Sequence, residues 1–284
     1  MSSPHVVVTN DDGIAAEGLH TLTRALAAAE LPAAVLAPAE NRSGVSRAAS
    51  FGLPVALDPL PEVEGIPHFS CSGTPVDCVR LALLGETAPG AKLVVSGINH
   101  GPNLGDDMLS SGTVGAAVEG ALLGAVGLAV SQQHFDQDFH ILSSFDQTTP
   151  VYETTAAIAA LFAAEMLARP APERTVVNVN LPATLRERRV EVTRLGRRFY
   201  EPGSVFAGER DGVPGLFSYG ERGGPPPPFE DAPGTDFAAV AAGRVSATPV
   251  SFAWHREDGT SAALQWAREL CAAVESQLEG VATA

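Results

Sequence analysis

Short runs of β-branched and apolar residues, each ending in a polar cluster and giving way to helical spacing, restrict what this chain can fold into more than any other feature. Val6-Val7-Val8 stops at Thr9-Asn10-Asp11-Asp12-Gly13, after which Leu19, Leu22, Leu26 and Ala29 recur along one helix face. The unit repeats with a strand over Ala34 to Ala37, a helix over Thr74 to Leu84, a strand over Leu93 to Val95, a helix over Thr113 to Leu123 and a strand over Leu128 to Val130. Strands this short and apolar, alternating with helices, predict an α/β fold whose parallel sheet is covered on both faces. Thr74-Pro75-Val76-Asp77 is a strong helix start, because Thr can cap, Pro suits the first helical position and Asp favours the positive end of the helix dipole.

Beyond a polar stretch from Gln132 to Pro150, an Ala-rich helix over Thr154 to Ala168 leads into strands over Val176 to Leu181 and Val190 to Leu195. Glu201 to Gly234 is dense in Gly and Pro, and Pro225 to Pro228 can join neither a helix interior nor a central strand. That region reads as long hairpins or an extended arm. A strand over Val245 to Phe252 and a closing helix over Ala262 to Leu278 complete the chain, which carries no repeat of the solenoid kind.

With 284 residues, 45% of them hydrophobic, the chain can bury a sizeable core. Its net charge of −15 and pI near 4.8 leave no basic surface for a nucleic-acid backbone or an anionic membrane. Lys92 is the single lysine and precedes an apolar run, so Schiff-base chemistry and a P-loop lysine have almost nowhere to live. An anionic substrate would need another positive centre, and a metal ion is the simplest one.

Cys71, Cys78 and Cys271 form no C-x-x-C pair, which argues against a disulfide framework and a structural zinc site and for a reducing, cytoplasmic location. The N-terminus enters a strand directly, with no signal-peptide pattern. Gly115 to Val130 is interrupted by Glu119 and falls short of the roughly 20 apolar residues of a membrane span.

In open α/β sheets ligands bind beyond the carboxyl ends of the strands, where three clusters fall. Asn10-Asp11-Asp12-Gly13 sets two carboxylates side by side, which repel unless a cation or proton lies between them; the plain alternative is an Asx turn. Asn41-Arg42-Ser43-Gly44, alone, is an ordinary turn. Ser96-Gly97-Ile98-Asn99-His100-Gly101-Pro102-Asn103 runs on into Ser110-Ser111-Gly112-Thr113, a helix start whose free N–H groups could take an anion or could simply be capped. Taken together, Asp11, Asp12, Ser43 and Asn99 are hard oxygen donors, suited to Mg²⁺ or Mn²⁺. His134 and His140 lack the helical spacing of a zinc pair, and His100 is the histidine to test because it lies inside the third loop.

Val8 to Ile14, Ala37-Pro38 with Asn41 to Gly44, Gly73 to Val79, Ser96 to Asn103 and Ser111 to Ala117 resemble, in order, the signature segments of the SurE family. Weaker matches follow at Asn178 to Pro182, Gly196 to Tyr200, Gly234 to Asp236 and Val245 to Pro249. The resemblance implies a nucleoside 5′-monophosphatase, with 3′ substrates also in range, that uses one divalent ion per subunit. It further implies a Rossmann-like three-layer αβα core and a C-terminal hairpin arm that assembles a homodimer or homotetramer. The expected division is a single domain over 1–284, with a catalytic core at 1–185, an arm region at 186–250 and a terminal helix at 251–284.

On the matching positions the metal ligands are Asp11, Asp12, Ser43 and Asn99, and the phosphate contacts are Asn10, Gly44, Asn103, Ser111, Gly112 and Thr113. The chain departs from the pattern in a longer segment from His134 to Pro150, in the prolines Pro225 to Pro228, and at Ser251-Phe252-Ala253-Trp254-His255, where the family commonly carries Asp and Thr.

The expected chemistry is attack of water on phosphorus, with Asp11 or Asp12 as the base; an aspartyl-phosphate on Asp11 is the competing route. A nucleotide sensor that keeps the pocket without turnover is the non-catalytic alternative.

Overall fold

The structure is a computed structural model that describes residues 4–136, 139, 151–199, 205–210, 213–218, 228–230, 232–256 and 258–281, with backbone alone over 205–210 and 213–218. Its elements run β1 (Val6–Thr9), α1 (Glu17–Ala28), β2 (Ala33–Pro38), β3 (Leu57–Val63), β4 (Ile66–Cys71), α2 (Pro75–Leu84), β5 (Leu93–His100), α3 (Gly112–Leu122), β6 (Val126–Gln132), α4 (Glu153–Ala168), β7 (Thr175–Leu181), β8 (Val190–Val192), β9 (Val205–Arg210), β10 (Val213–Ser218), α5 (Asp236–Ala241), β11 (Val245–Ser251) and α6 (Gly259–Glu275). Nine strands form one sheet in the order β3-β4-β2-β1-β5-β6-β7-β11-β8, and β9 and β10 make a separate hairpin. β1, β2, β4, β5, β6 and β7 are parallel, whereas β3 and β11 pair antiparallel with β4 and β7.

Strand period sorts the core into two layers. Val6 and Val8 point to one face of the sheet, whose cluster includes Leu19, Leu22, Ile158, Phe162, Trp266 and Leu270 of α1, α4 and α6. Val7 points to the other, against Cys78, Val79 and Ala116 of α2 and α3. The helix start expected at Thr74 is a complete capping box: the Thr74 hydroxyl accepts from the Asp77 N–H while the Asp77 carboxylate accepts from the Thr74 N–H. Glu119 is a buried carboxylate of α3, and it is neutralised by Arg47 and by Arg80, whose Nε lies 2.6 Å away.

The β3–β4 hairpin was not among the expected strands. Pro59 and Pro61 argue against a strand, yet β3 is the outermost one and mostly exposed, where a missing donor costs little and blunts the edge. β8 and β11 lie in the main sheet, so the region 186–250 is partly core, and its described hairpin strands are β9 and β10. Among the described residues no helix is long and apolar enough to cross a membrane.

Because β1 sits between β2 and β5, the chain leaves β1 and β5 in opposite directions and opens a crevice at their carboxyl ends. The three polar loops converge there.

Candidate active site

Asn10 builds the first loop. Its Nδ2 donates to the Gly13 carbonyl at 3.0 Å and its Oδ1 accepts from the Gly13 N–H at 3.2 Å. Gly13 has φ +106°, in the left-handed region where a side chain is strained, so the turn after the two aspartates needs glycine. Asp11 is 2% exposed and accepts from the Thr113 hydroxyl across the gap between β1 and α3. A Cβ on Gly112 would stand 2.7 Å from the Asp11 Oδ2, so glycine lets the helix start close on that carboxylate. Asp12 is held from β5, where the His100 N–H donates to its Oδ2 at 3.1 Å.

Burial raises the pKa of Asp11, partly offset by the Thr113 hydroxyl and the surrounding N–H groups. Asp12 is pushed up to about 7 by burial and then by the charge of Asp11, with the His100 N–H pulling the other way. In the absence of a cation, burial and the repulsion between the two carboxylates thus favour a protonated pair.

The second loop is bolted to the first through its backbone, the Arg42 N–H donating to the Asp11 carbonyl at 2.6 Å. Asn41 Oδ1 accepts from the Ser43 N–H at 2.8 Å, and Gly44 turns at φ +78°. Among the described residues Ser43 Oγ is buried without a hydrogen-bond partner, which suits it to hold a ligand. Ser46 then ties this loop to the third one, its N–H on the Ser110 carbonyl at 3.0 Å and its Oγ on the Leu109 carbonyl at 2.6 Å.

In the third loop Asn99 Nδ2 donates to the Gly101 carbonyl at 2.8 Å, which turns Asn99 Oδ1 toward Thr113, 3.2 Å from its Oγ1. Asp11, Asp12 and Asn99 are therefore joined through Thr113 and the His100 backbone, and Ser43 joins them through the bond between Arg42 and Asp11. Ser111 caps α3 by accepting from the Val114 N–H at 3.1 Å. Asn103 is 4% exposed and gripped on all sides: its N–H donates to Asn180 Oδ1 at 2.8 Å, its carbonyl accepts from Asn178 Nδ2 at 2.8 Å and Asn180 Nδ2 at 3.1 Å, and its Nδ2 donates to Ser131 Oγ at 2.8 Å.

The sequence reading missed Asn178, Asn180 and Ser131 as supports of the site. The signal was present as two asparagines with period-2 spacing inside an otherwise apolar strand. It also missed Asp236 and Arg198, which fasten the 3-10 turn Gly105–Leu109 in front of Ser111. Asp236 accepts from the N–H groups of Gly105, Gly196 and Phe237 at 2.7, 2.8 and 3.0 Å, and the Arg198 Nε donates to Asp107 at 3.0 Å. His134 pairs with His100 in a ring stack, while His140 lies outside the described residues.

The donors converging here are two carboxylates, an amide oxygen and a hydroxyl, all hard oxygens, and the partnerless Ser43 Oγ adds a vacancy in hydrogen bonding that a cation would fill. Among the described residues no group of three His, Cys, Asp or Glu is placed to hold a metal ion, so an ion here relies on neutral oxygens beside the two aspartates.

The chain is similar to proteins of one known family. Residues 6–202 match the family model of the survival protein SurE. A 5′-nucleotidase SurE of Rubrobacter xylanophilus is 41% identical over 252 residues, covering 86% of this chain and 90% of that protein. One from Stenotrophomonas maltophilia is 36% identical over 274 residues, covering 95% and 98%. The crystal structure of SurE protein from Aquifex aeolicus superposes with a TM-score of 0.66 at 31% identity, over 87% of this chain and 93% of that one.

Proposed function

The chain belongs to the SurE family, and from that premise we propose that it is a 5′-nucleotidase hydrolysing nucleoside monophosphates to nucleoside and phosphate at the crevice between β1 and β5. The observation that carries the reading is the linkage of Asp11, Asp12 and Asn99 through Thr113 and the His100 N–H, three elements closing on one oxygen-rich point.

Asp11, Asp12, Ser43 and Asn99 would hold one divalent ion, with Mg²⁺ or Mn²⁺ fitting the all-oxygen set. Bound there, the ion supplies neutralisation of phosphoryl charge and polarisation of the attacking water. The chain's own residues do the rest. N–H groups of Gly44, Gly112 and Thr113 receive phosphoryl oxygens, aided by the α3 dipole. Asn10 and Asn103 each keep a second amide hydrogen after their bonds to Gly13 and Ser131, and Ser111 keeps its hydroxyl proton after capping Val114.

Asp11 or Asp12 would accept the proton of the attacking water, with its other oxygen on the ion. Asp11, bonded to the Thr113 hydroxyl and committed to the ion, would be a poor nucleophile, which favours water over an aspartyl-phosphate. Release of phosphate from a panel of nucleoside monophosphates, with and without Mg²⁺ or Mn²⁺, tests the reading. Metal-dependent turnover supports it, and binding without turnover would turn it into a nucleotide sensor.

We further infer a cytoplasmic protein, in keeping with three free buried cysteines, and a homodimer or homotetramer built through the β9–β10 hairpin. We further propose a single SurE-like unit over 1–284, with β8 and β11 belonging to the core sheet rather than to the arm. Light scattering of the intact chain and of a variant shortened across 201–234 tests the assembly, and a monomeric wild type at micromolar concentration refutes it.

A further inference from the structure

Three aromatic side chains stand in a row at the carboxyl ends of β5 and β6, on the rim of the crevice. His100, the last residue of β5, pairs with Gln132 of β6, and its backbone N–H is the one bonded to Asp12 at 3.1 Å. Its ring stacks on that of His134, 4.6 Å between centroids and 19° from parallel. Phe135 meets His134 edge-on at 4.1 Å and 85°, and is itself 49% exposed. None of the three belongs to any of the four buried clusters. The row therefore contributes little to the core, and it starts at a residue that touches the catalytic pair.

Flat π-faces beside an anion site are a recognisable device. A nucleobase is neutral and planar, so a protein with one lysine and a net charge of −15 gains most by stacking on it rather than by charge. With the phosphate at the α3 start and the aspartates, the nucleoside has two ways out of the crevice, toward β2 or toward β6. Other aromatic rings lie near the site, Phe51 after β2 and Phe252 with Trp254 in a pocket shared with Ser111, but the row that starts at the residue holding Asp12 lies on the β6 side, from half-buried His100 and His134 out to Phe135.

We propose that His100, His134 and Phe135 form a stacking shelf for the base of the nucleotide, making these three side chains a specificity determinant for nucleotides over simple sugar phosphates. The inference rests on the nucleotidase reading and deepens it. Its basis is distinct from that reading, since the shelf lies outside the metal and phosphate set except for the His100 backbone.

The test compares kcat/KM for adenosine 5′-monophosphate with that for ribose 5-phosphate, which has the same phosphate and sugar but no base, in wild type, Phe135→Ser, His134→Leu and Phe135→Tyr. Equilibrium binding of adenosine, which has no phosphate, is measured on the same proteins. Stacking on an aromatic side chain is worth about 5- to 150-fold per base. Phe135→Ser and His134→Leu should lower the nucleotide-to-sugar-phosphate ratio within that range and weaken adenosine in parallel, while Phe135→Tyr, which keeps the ring, retains both. Melting curves identify any variant lost to unfolding, and Phe135, being half exposed, is the safer of the two sites. A ratio and an adenosine affinity that stay at wild-type values in Phe135→Ser would overturn the shelf. If wild type released phosphate from no nucleotide, the nucleotidase reading would fall instead, and adenosine binding would still decide the shelf.

Discussion

The hydroxyl of Thr113, on the first turn of α3, is donated to the carboxylate of Asp11, on the loop after β1, across 102 positions of sequence. That bond locks the helix start, where phosphate would bind, to the carboxylate that would bind metal. The two halves of the site cannot be perturbed separately through this residue.

Thr113→Ala should therefore weaken metal binding and turnover together. A hydrogen bond to a charged group contributes about 1.5 to 3 kcal/mol, so kcat/KM and Mn²⁺ affinity should each fall roughly 10- to 150-fold. Thr113→Ser, which keeps the hydroxyl, should restore most of both. Titration calorimetry with Mn²⁺ and steady-state kinetics on the two variants check this, and a loss confined to kinetics would show that the Asp11 bond is dispensable for the ion.

Gly112→Ala separates activity from stability. Alanine is the better helix former by about 1 kcal/mol, but its Cβ would press on Asp11 Oδ2 at 2.7 Å. The expected outcome is a melting temperature close to wild type with at least about a 100-fold loss of kcat, comparable to removing one transition-state donor. Kinetics and a thermal melt on the same sample distinguish this from simple unfolding.

The metal-free protein should lose stability as pH rises. Asp12 has a folded-state pKa near 7 against an ordinary value of 3.8, so between those values the native state holds a proton that the unfolded chain has released. Stability from this group is fully present below the unfolded value and is lost as pH climbs through about 7. Metal binding must expel the proton, so Mn²⁺ affinity should rise with pH up to about 7 and then level off. Calorimetry below that pH in buffers of different ionisation enthalpy should register proton release, and its absence would mean that the pair is already ionised.

Asp236 supports the site from a distance. Its buried carboxylate accepts from Gly105, Gly196 and Phe237, and Asp236→Ala would leave those N–H groups unsatisfied at about 1 to 3 kcal/mol each. A fall in melting temperature with a raised KM for nucleotide is expected, because the turn that loosens leads into Ser111. Asp236→Asn, which keeps one acceptor oxygen, should lie between the two. A raised KM with unchanged stability would contradict the supporting role.

Local features were legible in the sequence where the chain solves its problem locally. The strands over Val6 to Val8 and Ala34 to Ala37 and the capped start at Thr74 follow from periodicity and capping, whereas β5 runs past the expected end at Val95 to His100, because Asn99 and His100 pair with Ser131 and Gln132 of β6. The hidden parts depend on partners far away. Leu57 to Val63 forms a strand only because it sits at an edge where Pro59 and Pro61 need no partner on one side. α5 spans six residues after a Gly/Pro-rich run, too short for helical periodicity to register. Asn178 and Asn180 look like interruptions of an apolar strand until Asn103, about 75 positions earlier, is brought against them. His134 was weighed against His140, its neighbour in sequence, whereas its ring partner is His100 on the adjacent strand.

The most direct measurement is phosphate release from adenosine 5′-monophosphate by wild type and Asp11→Asn, assayed together across a Mn²⁺ titration with melts to establish that both are folded. Replacing the carboxylate by an amide keeps its shape and removes its charge. The site described here predicts saturable, Mn²⁺-dependent turnover in wild type, and in Asp11→Asn a loss of at least about 100-fold together with loss of the Mn²⁺-induced rise in melting temperature. Wild-type turnover and a full Mn²⁺ shift in folded Asp11→Asn would contradict it.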